Sequence, residues 1–226
     1  MKKKILSIAL AVVILAIASI GTLAYFTETT PKTDNVFTVG NIHIGLDENF
    51  VNNQVLLPGS PVVTKQVKVT NKGLNDAYVR VHIAIPSALD NPIDGNLNTL
   101  MFTAYNTDLG QWNWSRGVRT SGGFPAASNW NMYVTQIGNI NYNVYVVTYE
   151  TKLSATQFTP FAMENAYLNP ALTQTQADTL KTTLGNDWHM YVVAEAVQAA
   201  GFSDAFSAFA ASFKTIGSYS PFETAT

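Results

Sequence analysis

The sequence predicts an all-β fold, a β-sandwich with short connecting helices, preceded by a cleaved N-terminal signal helix. Three observations lead there. Several stretches alternate apolar and polar residues with a period of two, the pattern of half-buried strands. Asn, Thr, Tyr and Val are common while only 12% of residues are charged, a composition suited to β-structure with a neutral polar surface. Turn signals rich in Gly, Pro and Asn separate the alternating stretches.

The elements follow in chain order. Lys2, Lys3 and Lys4 form a positive leader start, and Ile5 to Ile20 is apolar except for Ser7 and Ser19. Thr22 and Ala24 supply small residues ahead of a cleavage site placed between Ala24 and Tyr25. Ile5 to Phe26 would also be about long enough to span a bilayer of roughly 30 Å. The small residues and the polar run Thr27 to Asn35 favour cleavage over an uncleaved anchor. The chain is therefore expected to be secreted, to the extracellular matrix or cell surface, with membrane contact only before cleavage.

Tyr25 to Thr38 reads as an extended arm, and residues 39–226 as a single sandwich domain with no internal repeat. Ile42, Ile44 and Leu46 share one face of a first strand, with His43 on the other. Leu57-Pro58-Gly59 is a turn. Val62 to Thr70 is a strand with Val67 and Val69 inward, and Asn71-Lys72-Gly73 with Asn75-Asp76 turn the chain again. In Tyr78 to Ile85, Val79, Val81, Ile83 and Ile85 face one way and Tyr78, Arg80 and His82 the other. Ser87 to Asn129 reads as long loops with short strands, carrying Trp112 and Trp114. Trp130 to Ile137 and Tyr142 to Thr151 form a hairpin through Gly138-Asn139, the second strand central because Tyr and Val occupy both its faces. Thr173 to Leu184 has helical spacing, with Thr173–Gln176 or Thr175–Asp178 as alternative N-terminal caps and Gly185 at the C-terminal cap. Trp188 to Gln198 is a strand, and Ser203 to Phe213 a short helix striped by Phe206, Phe209 and Phe213. Jelly-roll winding is one of several topologies this pattern allows.

Composition excludes several functions. Of 13 basic residues three leave with the leader, so 10 face 15 acidic ones in the remainder. A net charge of about −5 argues against nucleic acid as the main partner. With no cysteine, disulfides, thiolate metal sites and cysteine nucleophiles are ruled out. The histidines, His43, His82 and His189, are far apart and form no His-Glu-x-x-His, so no metal site is read from them. Asp90, Asp94 and Gly95 resemble the start of a calcium loop, but Pro92 and Met101 stand where ligands belong. There is no Gly-x-Ser-x-Gly elbow and no phosphate-cradling loop. Asp47-Glu48 reads as solvated loop charge rather than a hydrolase pair. No catalytic residue and no cofactor is assigned. Trp112, Trp114, Trp130 and Trp188 read as packing, with a glycan platform as the sharper alternative.

Gly21-Thr22-Leu23-Ala24-Tyr25-Phe26-Thr27 followed by Asn35-Val36-Phe37-Thr38-Val39-Gly40-Asn41-Ile42 resembles precursors cut by the SipW-type signal peptidase. Leu57-Pro58-Gly59, Val67 to Gly73 and Asp76 to Val81 resemble the matching blocks of the TasA/camelysin family, and Val193 to Phe202 resembles its C-terminal signature. The resemblance implies a jelly-roll β-sandwich secreted by Gram-positive bacteria, whose members form biofilm-matrix fibres. It implies that the arm of one subunit lies as a strand in the sheet of the next, so the expected partner is the chain itself, in a head-to-tail homopolymer. The processing peptidase and an accessory matrix protein are the other expected partners. Camelysin members are described as metalloproteases, an activity no metal motif here supports. Tyr25, Phe26, Val36 and Phe37 are the apolar residues with which the arm would plug a neighbouring sheet edge. The alternatives are a camelysin-like surface metalloprotease and a non-polymerising adhesin using the aromatic loops.

Overall fold

The computed structural model describes residues 27–29, 42–51, 56–58, 62–90, 100–103, 112–113, 132–185 and 188–222. Within them two antiparallel sheets pack as a sandwich. One sheet runs in the order β1 (Thr27–Thr29), β9 (Tyr191–Gln198), β4 (Ala77–Pro86), β7 (Ile140–Thr148) and β6 (Met132–Ile137). The other runs β2 (Ile44–Phe50), β3 (Val63–Asn71), β8 (Met163–Leu168) and β5 (Leu100–Thr103). Strands from the two ends of the chain lie side by side, β1 on β9, β3 on β8 and β4 on β7. That winding is the jelly-roll arrangement.

The period-two patterns place the core. Val67 and Val69 of β3 meet Val79, Val81, Ile83 and Ile85 of β4 between the sheets, all of them fully buried. Met163, Ala166 and Leu168 of β8 and Val192, Ala194 and Ala196 of β9 complete this layer. β7 is an interior strand, as its two apolar faces require. Its hairpin with β6 pairs Ile137 with Ile140 around Gly138-Asn139, and Gly138 has a φ of 61°. A two-residue hairpin loop demands such a left-handed residue at its first central position, and glycine adopts it without strain.

Helix α1 (Ser87–Asp90) is a single turn after β4. Helix α2 (Gln174–Leu184) uses the Thr173–Gln176 capping box: Gln176 N donates to Thr173 Oγ1 at 3.3 Å, and Thr173 N donates to Gln176 Oε1 at 2.8 Å. Gly185, at φ 79°, ends it by donating to Lys181 O. Helix α3 (Ala205–Ser212) starts at Asp204, whose Oδ1 accepts from Ser207 N at 2.8 Å.

β8 is the element the period-two reading leaves unassigned. Glu164 and Asn165 interrupt its alternation, and a register shift between Thr64 and Val67 of β3 absorbs the irregularity. Beyond the shift Thr159 takes over the ladder: its N–H donates to Val69 O, and its Oγ1 accepts from Val69 N.

The face of the β4-containing sheet that turns away from the sandwich is covered as well. Helix α3 lies over Tyr78, Val197 and Ala199. The segment through Ile216 to Phe222 lies over Ala84, Tyr142, Val144, Val146 and Val193. Both faces of β4 are therefore buried along all ten residues, although the alternation alone would leave one face wet.

Candidate functional site at the β9 strand

Between those two outer apolar clusters sit the charged residues of β4 and β9. Pairing of Arg80 with Glu195 and of His82 with Val193 brings the three polar side chains onto one face. Glu195 is completely buried, and Arg80 and His82 are 3% and 1% exposed. Glu195 Oε2 accepts from Arg80 Nε at 2.7 Å, from Arg80 Nη2 at 2.6 Å, and from His82 Nε2 at 3.0 Å. Tyr219, from the C-terminal segment, accepts from Arg80 Nη2 at 2.7 Å and donates to Glu195 Oε1 at 2.8 Å. Tyr133 OH lies 3.3 Å from His82 Nδ1. The Arg80 guanidinium carbon lies over the neighbouring rings of Phe209 and Phe213, 4.4 and 4.9 Å from their centroids.

The charge state follows from these contacts. Burial by itself would raise the Glu195 carboxyl. The hydrogen bond from the His82 imidazole, the Arg80 charge and the Tyr219 hydroxyl outweigh it and hold the group at about 2. Burial pushes His82 below its ordinary value, and Arg80 adds to this against the pull of Glu195. His82 is thus a neutral imidazole, donating from Nε2 to Glu195 and receiving at Nδ1. Burial raises the hydroxyls of Tyr133 and Tyr219, reinforced by the nearby Glu195 charge. The result is one compensated ion pair, Arg80⁺ with Glu195⁻, set in neutral donors. A buried ion pair survives only when its remaining valences are filled in this way.

This arrangement resembles an acid–base dyad, but it cannot hold a metal. Glu195 Oε2 already takes three donors, and the Arg80 charge sits within 3 Å of where a cation would have to bind. Among the described residues no group of three or more His, Asp or Glu could hold an ion. His43 is half-buried just before β2, where its carbonyl accepts from Lys72 N. His189 is exposed and stacks on Tyr191 at 5.8 Å. The residue donors present do not fit a catalytic zinc site. The cluster instead fastens α3 and the C-terminal segment over the sheet.

β9 also carries the N-terminal strand. Thr27, Glu28 and Thr29 pair antiparallel with Val197, Ala196 and Glu195, so the last residue of β1 lies across from the buried carboxylate's own backbone. Ala24, Tyr25, Phe26, Val36 and Phe37, the cleavage and arm residues expected from the sequence, lie outside the described residues. Of the tryptophans, Trp112 is buried against Tyr149 at 5.2 Å, with Nε1 donating to Pro160 O, and Trp188 is half-buried against the core. Both are packing residues. Trp114 and Trp130 lie outside the described residues.

Sequence reasoning missed the Arg80–Glu195 pair. The signal was present: each is a lone charge in a strand whose other residues are almost all apolar or aromatic, Glu195 inside Val192 to Val197 and Arg80 inside Ala77 to Ile85.

Residues 1–85 match the family model described as Camelysin metallo-endopeptidase. No curated protein and no solved structure matches the chain. The match runs from the first residue to Ile85 in β4 and takes in two of the blocks read as family-like, while the Val193 to Phe202 block lies beyond it. Over residues 1–85 the chain is thus similar to the camelysin family, in keeping with its N-terminal blocks.

Proposed function

We propose that the chain is a secreted structural protein of the extracellular biofilm matrix, and that its subunits join into fibres by donating their N-terminal strands. The leader is removed between Ala24 and Tyr25 by a SipW-type peptidase, and the freed arm pairs with β9 of the next subunit.

One observation carries this reading: β9 needs a strand beside it. Val192 to Val197 are buried on both faces, by the core on one and by α3 and the C-terminal segment on the other, so the lateral edge is what remains to be covered. On one side β9 has the ten-residue β4, while on the other it has only the three residues of β1. An uncovered strand of this kind is a template for pairing with another chain. The three-residue cover comes from an arm joined to β2 by residues 30–43, a length that reaches ~45 Å when extended. An element that closes its own sheet at the end of a long tether can make the same contacts on a neighbour, as in domain swapping. Repeated head to tail, that exchange does not close on itself and gives a filament. β6, β2 and β5, at the other margins, are further outermost strands.

The metallo-endopeptidase in the family model's description is the second reading. The donor set around His82 does not favour it. Casein hydrolysis sensitive to a chelator would.

The test is negative-stain microscopy over a concentration series. Chain starting at Tyr25 should give filaments, and precursor retaining residues 1–24 should not. A chain lacking Tyr25–Thr38 should remain monomeric at every concentration. Filaments from that truncated chain would refute strand donation.

A further inference from the structure

Where β9 ends, an open groove of about 570 Å³ lies against the sheet, lined by Asp76, Tyr78, Lys152, Ala199, Phe202 and their neighbours. Its floor is apolar: Tyr78, Ala199 and Phe202 belong to the cluster beneath α3. Its rim holds an exposed ion pair, Asp76 Oδ2 to Lys152 Nζ at 3.5 Å. Asp76, Lys152 and the Tyr78 phenol are the ionisable groups lining it.

The register of β1 points into this groove. Thr27 pairs with Val197 and Thr29 with Glu195, so the arm runs toward Ala199 as it is followed back to its start. Carried back two residues in that register, the ladder would bring Tyr25 across from Ala199. Directly opposed residues of an antiparallel pair share a face, and on Ala199's face stand Tyr78 and Phe202. The ladder has nowhere to go beyond this point. β9 stops at Gln198 and the chain turns through Ala200 and Gly201, where Gly201 has a φ of 92°. The available edge thus ends within one residue of the expected cut.

We propose that the groove is a binding site for the processed N-terminus, the Tyr25 ring seated on Tyr78, Ala199 and Phe202 and its α-ammonium paired with Asp76. The proposal rests on the reading that cleavage falls between Ala24 and Tyr25. In the precursor the Tyr25 nitrogen is a neutral peptide N–H. Hydrolysis of the Ala24–Tyr25 bond turns it into an ammonium, which is protonated below about pH 8. The groove then distinguishes cut from uncut chain by charge, and processing strengthens the strand that assembly uses.

The experiment follows the α-amine by the ¹³Cα shift of labelled Tyr25 as pH is raised. In the chain beginning at Tyr25 the amine should titrate about half a unit to one unit above its ordinary value of about 7.7–8.0. Asp76→Asn should return it to that value. The variant keeps the Asp76 carbonyl, which accepts from Ala199 N at 3.0 Å, so the strand end stays in place. Lys152→Met removes the competing cation and should raise the amine further. Two residues added before Tyr25 should restore ordinary titration. An amine indifferent to both Asp76→Asn and Lys152→Met overturns the proposal. The cleavage reading is checked apart from this, by the mass of the exported protein. An N-terminus other than Tyr25 there overturns that reading, while the titration still decides the groove.

Discussion

Glu195 shows how a single side chain can be both indispensable and replaceable. Its carboxylate satisfies Arg80, His82 and Tyr219 together, with no exposed surface. Substitution by Gln leaves the Arg80 charge buried beside two phenyl rings with no counter-ion, and breaking such a pair costs about 3–5 kcal/mol. Replacing Arg80 and Glu195 together by Met and Gln should cost clearly less than the sum of the two single changes, since no charge is then stranded. Urea unfolding of the four proteins checks this, and additive costs would show that the pair is not coupled. Titration of the same cluster sets the acid limit of the fold. His82 is held below its ordinary value in the folded chain, so the unfolded chain takes up a proton first. Stability is then full above pH 6.5 and falls as pH drops below it. Glu195, moved from 4.5 to about 2, adds a second loss of about 3 kcal/mol between those two values. The urea midpoint should therefore decline in two stages on acidification. His82→Gln should remove the first stage and leave the second.

At the scale of elements, β1 is the weakest member of its sheet. Three residues bound on one side contribute a few ladder bonds at about 1 kcal/mol each, so the strand can come and go while the sandwich stays folded. Successive N–H groups of a strand point to opposite sides. The double change Thr27→Pro and Glu28→Pro therefore removes at least one donor to β9 and should abolish filaments without lowering the urea midpoint by more than about 1–2 kcal/mol equivalent. Filaments that persist would remove β1 from the assembly. How far such elements can be read in advance depends on how local their causes are. The Gly138 turn and the inward valines of β3 and β4 are set by residues within a few positions of one another and were legible, while the Thr173–Gln176 cap was one of two alternatives that the sequence left open. β8 was not, because its polar Glu164 and Asn165 are tolerated only through a register shift in a strand nearly a hundred residues away. The Arg80–Glu195 pair spans 115 positions, and only the winding of the sheet brings its two lone charges together. The cover over the outer face was half legible: the Phe209–Phe213 stripe was read as a helix face, but not that it packs on an arginine. The arm residues expected to plug a sheet lie outside the described residues, and only the short β1 that follows Phe26 bears on them.

For the whole molecule, the decisive quantity is the tether between β1 and β2. Under the proposed strand donation, residues 30–43, which join β1 to β2, would set the effective concentration at which a subunit's arm meets its own β9, with a neighbour's arm in competition. The contacts at β9 are the same in both cases, so the balance turns on tether reach and subunit concentration rather than on new contact energy. Deleting Thr30 to Asn35 shortens the extended reach from ~45 Å to about 26 Å. The arm must still cross from the β2-containing sheet to the β9 edge of the other sheet, and a tether too short for this crossing disfavours self-closure while leaving donation to a neighbour open. The shortened chain should therefore form filaments at several-fold lower concentration than the chain with the full tether. Inserting ten Gly/Ser residues after Asn35 should change assembly little, because effective concentration falls only slowly with length once the span is reached. Sedimentation of polymer against total protein gives the critical concentration for all three. A critical concentration that rises on shortening, as it does on removing the arm itself, would mean that the tether contributes contacts of its own, and that competition between self-closure and donation does not govern assembly.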